Sequence, residues 1–150
     1  MRRSEISDLD LKAALTEVRQ AYAELANRPI ERNCMRVKEC CHFKLTGRTP
    51  YLTKGEALLA ATALRATGRT QLPRNAMDAC PMLDSVNGNC LIYDSRPFGC
   101  RTHFCAAAGG PYARREVIDL IRRLEAVDEA LGGTGPRLLE NAIGDALDEL

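Results

Sequence analysis

Seven cysteines fall in three groups along this chain: Cys34, Cys40 and Cys41; Cys80 and Cys90; Cys100 and Cys105. The only two histidines, His42 and His103, sit inside the first and third groups. Thiolate is a soft, anionic ligand that suits zinc, iron–sulfur clusters and copper(I), and imidazole joins it in many zinc sites. Several thiolates in one place repel one another unless a cation compensates them. Arg96 and Arg101 lie around Cys100 and could donate to sulfur, or could equally form surface ion pairs of little consequence. Side chains of adjacent residues such as Cys40 and Cys41 point in different directions, so the simplest reading sends one to a metal shared with Cys34. The other then joins ligands from the distal groups. No paired CxxC knuckles and no ferredoxin spacing occur, so the spacing names no metal. It says only that ligands converge from distant segments and staple loops that are costly to order.

The bulk composition narrows the setting. At 150 residues the chain reads as one domain, 1–150. Large core side chains are few, with no Trp, three Phe and four Tyr, and the apolar fraction is mostly Ala and Leu, which favours helices. Lys and Arg number 21 against 20 Asp and Glu, which argues against general nucleic-acid binding or attraction to an anionic membrane. No apolar run reaches membrane-spanning length, and the opening MRRSEISDLDLK lacks the apolar stretch of a secretory signal. A cytoplasmic location is therefore expected, where clustered cysteines signal metal more than disulfides.

Helices are expected to position this cysteine-rich middle. Over residues 7–27, Leu11, Leu15, Val18, Tyr22 and Leu25 line one face, with Ser7 as N-cap and Pro29 as the stop. Residues 33–52 read as irregular. Thr53 and Glu56 form a capping-box pattern for a helix over 54–67, closed by Gly68 and buried through Leu58, Leu59 and Leu64. Residues 69–105 show little periodicity, but MLDSVNGNCLIY suggests a hairpin with a tight turn at Asn87-Gly88, pairing Leu83 with Ile92 and Ser85 with Cys90. A third long helix is expected over 111–131, with Pro111 in its first turn and the stripe Val117, Leu120, Ile121, Leu124, Val127 and Leu131. GGTGP, 132–136, is a hinge before an amphipathic helix over 137–150 with Leu138, Leu139, Ala142, Ile143, Ala146 and Leu147. The fold class is thus mainly α. Helices 7–27 and 111–150 flank a loop-rich, metal-stapled centre at about 34–105.

These segments together resemble the small cysteine-cluster proteins described as zinc- or iron-chelating domains, whose signature is CxxCxxCC; a related domain occurs in flagellin lysine N-methylase. The later motifs match as CPML (80–83), CLIY (90–93), RPFGCR (96–101) and Cys105, so the resemblance covers about 34–105. One position departs: where the signature expects a cysteine, the chain has Val37. The resemblance implies eight thiolates, enough for two four-ligand sites, and this chain has seven. His42, His103, a shared thiolate or an open position with water could complete the set, and an open position is what metal catalysis requires.

Three functions follow. The first is a metal-binding module holding zinc or an iron or iron–sulfur centre, alone or for an unknown protein partner. The absence of a phosphate loop, GxSxG and HExxH favours it. The second is a metal-dependent modifying enzyme of the methyl-transfer kind, with His42, Tyr93, Asp94, His103 and Tyr112 as candidate groups. The third is a thiol redox sensor using Cys40 with Cys41, or Cys100 with Cys105, which requires exposed, low-pKa thiols.

Overall fold

The computed structural model describes residues 7–28, 50–73, 80–84, 89–102 and 113–150. Helix α1, Asp8–Ala26, starts where Ser7 Oγ accepts the Asp10 N–H at 3.1 Å, and acidic Asp8 and Asp10 favour that positive helix end. Its expected stripe is buried at Leu15, Val18, Tyr22 and Leu25, with Leu11 half-buried. Helix α2, Lys54–Ala66, carries the expected capping box and ends before Gly68, whose φ of +89° is one glycine tolerates best. It is buried nearly all round, through Gly55 to Ala61 and Leu64, which marks it as the central helix.

Small residues let the other helices close on α2. A Cβ at Gly55 would lie 2.7 Å from Val127 Cγ1 and 3.0 Å from Val18 Cγ2, so three helices meet where only hydrogen fits. Val127 belongs to α4, Arg114–Ala130, which begins three residues later than the expected 111; the extended Ala113 precedes it, and Pro111 lies outside the described residues. Helix α5, Leu139–Glu149, packs on α2 through Leu139, Ala142, Ile143, Ala146 and Leu147. Arg123 of α4 pairs with Glu17 at 2.9 Å and with Glu24, and Arg28 pairs with Asp119, stitching α1 to α4 along an exposed edge.

Two expectations of irregular or helical chain are corrected. Tyr51–Leu52 (β1), expected to be irregular, pairs antiparallel with Arg137–Leu138 (β2), which was expected to be helical. Pro50 C=O accepts the Leu139 N–H at 3.0 Å, so the pairing occupies an N–H that a helix start leaves unpaired. Leu138, expected on an apolar helix face, is instead exposed. The architecture is mainly α, as expected. The apolar core runs through α1, α2, α4 and α5 and takes in Met82, Leu83, Ile92 and Phe98 from the cysteine-bearing turns. Among the described residues no helix is long and apolar enough to cross a membrane.

Candidate metal centre

Three of the cysteines lie among the described residues, on short turns docked against the helical body. Cys80 is buried, and its carbonyl accepts the Leu83 N–H at 3.0 Å. Leu83 then bridges to Cys90, with Asp84 N–H donating to Asn89 C=O at 2.8 Å and Leu91 N–H to Met82 C=O at 2.7 Å. Cys80 and Cys90 thus ride on one bridged turn. The expected register, Leu83 with Ile92, does not form. Ile92 is buried in the core and opens a 3₁₀ turn, Tyr93–Ser95, with a φ of −121° and ψ of 34° that cannot continue a strand. The expected turn, Asn87-Gly88, lies outside the described residues; the observed register has Met82 and Ile92 buried in the core, as burial commonly sets register. Ser85, the expected partner of Cys90, lies outside the described residues.

After the 3₁₀ turn the chain enters α3, Phe98–Thr102. Cys100 is half-buried here and its N–H donates to Pro97 C=O at 3.0 Å. Arg96 folds back on Tyr93, its Nε donating to the Tyr93 carbonyl at 3.1 Å and its guanidinium lying 4.1 Å from the ring centre. Arg101 is held more firmly. Its Nε donates to Arg96 C=O and a terminal nitrogen to Asp94 C=O, both at 2.7 Å, and its guanidinium stacks 4.1 Å from the Tyr22 ring centre. The Arg101 charge lies within electrostatic reach of Cys100.

Behind this segment lies Glu56, a fully buried carboxylate with four donors. Oε2 accepts from Thr53 N–H and Thr53 Oγ1, each at 3.0 Å; Oε1 accepts from Tyr22 Oη at 3.0 Å and from Phe98 N–H at 2.7 Å. Burial pushes the Glu56 carboxyl above its ordinary value, against the opposing pull of hydrogen bonds from Thr53, Phe98 and Tyr22. Burial, then the Glu56 charge, pushes the Tyr22 hydroxyl well up. Burial lowers Arg101. Beside α3 a cleft of about 370 Å³ runs between Phe98, Gly99 and Thr102 on one side and Val117, Ile121 and Leu124 on the other.

Among the described residues, no three His, Cys, Asp or Glu side chains converge on a metal-sized site. Cys80 and Cys90 share a turn; Cys100 stands on α3, beyond the 3₁₀ turn. Cys34, Cys40, Cys41, His42, His103, Cys105, Val37 and Tyr112 lie outside the described residues. Tyr93 and Asp94 are in the 3₁₀ turn, where the Asp94 carbonyl serves Arg101. Sequence reasoning read Glu56 only as a cap and Tyr22 only as core. The capping-box spacing locates Glu56, but nothing local marks its second oxygen as reaching α1 and α3.

The donor set fits zinc or iron. The candidate ligands among the described residues, Cys80, Cys90 and Cys100, are thiols outside any disulfide, the donor type that zinc and iron take. No similar curated protein and no similar solved structure was found. A family model does match, over residues 33–122, and its description reads "CxxCxxCC: Putative zinc- or iron-chelating domain". That span takes in all seven cysteines, the bridged turn, α3 and the first half of α4, and by it the chain belongs to the CxxCxxCC family.

Proposed function

We propose that this chain chelates zinc or iron through thiolates from all three cysteine groups: Cys34, Cys40 and Cys41, Cys80 and Cys90, Cys100 and Cys105. His42, His103, a shared thiolate or a water completes the set at the position where Val37 stands in place of a cysteine. The observation that carries this reading is the placement of Cys80 and Cys90 on one bridged turn and of Cys100 on the short helix α3, all packed against one helical body within the family span. Turns this short have little stability of their own, and a shared ion supplies what they lack. A reducing cytoplasm is the compartment this reading requires. An iron–sulfur cluster is the finer alternative to single ions.

Anaerobic purification, elemental analysis and a visible spectrum test it. Colourless protein with zinc supports mononuclear thiolate sites, whereas broad absorption near about 400 nm supports a cluster. Folded protein that takes up neither metal refutes both. In Val37→Cys, an unchanged metal count and coordination would refute an open position there, whereas loss of metal in His42→Ala or His103→Ala would identify the substitute ligand. A second reading, a metal-dependent modifying enzyme of the methyl-transfer kind, has one feature in its favour, the cleft beside α3. It requires metal-loaded protein to bind a methyl donor such as S-adenosylmethionine, and calorimetry without binding heat ends it.

A further inference from the structure

The segment bearing Cys100 is fastened on both sides to the helical body by one closed set of contacts. Two residues before Cys100, the Phe98 N–H meets Glu56 Oε1 at 2.7 Å. This is an N–H of the first turn of α3 that has no partner inside its own helix, and a carboxylate is the favourable acceptor there. One residue after Cys100, Arg101 is fixed by the carbonyls of Arg96 and Asp94, and its guanidinium lies over Tyr22. Tyr22 Oη then donates to the same Glu56 oxygen that receives Phe98, at 3.0 Å, and closes the loop. A capping-box glutamate needs only one oxygen for the cap, and here Thr53 occupies Oε2 alone. Glu56 Oε1 is therefore committed to joining α1 to the cysteine segment.

We propose that Glu56, Tyr22 and Arg101 are positioning residues of the metal centre, holding Cys100 in place before the ion arrives. This deepens the chelating reading and rests on it. Cys100 is then the fixed ligand around which the others gather. Preorganising a donor raises affinity because less ordering remains to be done on binding. Groups outside the ligand set that orient a ligand typically contribute 10–100-fold to metal affinity. Metal binding and the packing of α1 on α2 are coupled through Tyr22, so filling the site stabilises the helical body as well as the turns.

The test is competition between the full-length protein and a chromophoric chelator for zinc(II), and anaerobically for iron(II). It is run at a temperature where circular dichroism shows each variant fully folded. Arg101→Gln is expected to weaken zinc binding about tenfold. Tyr22→Phe removes one oxygen and keeps the ring, and is expected to weaken it a few-fold. The control Arg123→Gln, on the exposed α1–α4 edge, should leave affinity unchanged. Alkylation mapped by mass spectrometry adds a site-specific readout: zinc should protect Cys100 in the wild type and protect it less in both variants. A role confined to stability would lower the melting temperature with and without metal alike and leave the affinity of folded molecules untouched. That result, with equal Cys100 protection, overturns the positioning proposal and leaves chelation standing. A folded wild type that binds neither ion overturns chelation itself, and positioning with it.

Discussion

Two buried carboxylates serve the first turn of α2, and they do so differently. Glu56 lies within the helix and gathers donors from its own cap, from Tyr22 of α1 and from the start of α3. Asp128 comes from α4 and, among the described residues, accepts backbone N–H groups, Lys54 at 2.7 Å and Gly135 at 2.9 Å. The Asp128 contacts lock two helices and the turn between α4 and β2, and each is a peptide donor that any sequence would offer. The Glu56 contacts include two hydroxyls and reach an element that carries a cysteine. One carboxylate closes the helical body; the other attaches the cysteine segment to it.

Breaking the Glu56 side should give the largest effect. In Glu56→Gln an NH₂ must face a backbone N–H, of Thr53 or of Phe98, and a hydroxyl that has to turn round to accept, and urea denaturation should show a loss of about 3 kcal/mol. The pH dependence sharpens this. Burial raises the folded-state value, so the folded protein keeps its proton to a higher pH than the unfolded chain does. The contribution of Glu56 is then fully present below its ordinary value of 4.5 and declines as pH rises through the raised folded value. The advantage of wild type over Glu56→Gln should narrow as pH climbs across that window. An advantage that widens would mean that the four hydrogen bonds outweigh desolvation and hold the carboxyl down.

Breaking the Asp128 side should cost less. Asp128→Ala leaves the N–H groups of Lys54 and Gly135 without their acceptor, for about 2 kcal/mol. Both N–H groups are only partly buried, so water recovers some of the loss. Gly133 probes the same lock from outside. A Cβ there would lie 2.4 Å from Asp128 Oδ1 and 2.6 Å from Oδ2, and the carboxylate cannot retreat without releasing its donors. Gly133→Ala should cost about 1.5 kcal/mol in the wild type and far less in Asp128→Ala. Additive costs in that double-mutant cycle would show that the backbone of the turn, not the carboxylate, resists the methyl group.

The contrast also explains what could be read from sequence. The helices were legible because their signals are local: the Ser7 cap, the Thr53–Glu56 box, Gly68 and Gly132 at helix ends, and apolar stripes with helical spacing. The two-residue strands were not, because two residues have no periodicity and the pairing of Tyr51 with Leu138 joins distant parts of the chain. The hairpin register failed for the same reason, since Met82 and Ile92 choose it by burial from a distance. The cysteines could be picked out by residue type and motif order, while the Glu56–Tyr22–Arg101 contacts could not. Tyr22 and Arg101 lie 34 and 45 positions from Glu56 in the chain, and only packing brings them together.

The smallest effect belongs to carboxylates of the same chemistry left in water. Arg123 bridges Glu17 and Glu24 across the edge of α1 and α4, with side chains a third to a half exposed. The pairing raises the Arg123 pKa through its hydrogen bond to Glu17, yet a cation so exposed is already charged in the unfolded chain, and solvent screens what it gains. Arg123→Gln should therefore change stability by less than about 1 kcal/mol, and the change should fade as salt is raised. Glu56→Gln and Asp128→Ala should be nearly indifferent to salt, because their carboxylates are out of its reach. A salt-insensitive loss of 2 kcal/mol or more at Arg123 would place this exposed edge among the determinants of the fold. The α1–α4 contact could then no longer serve as the neutral control against which the Cys100 anchor is measured.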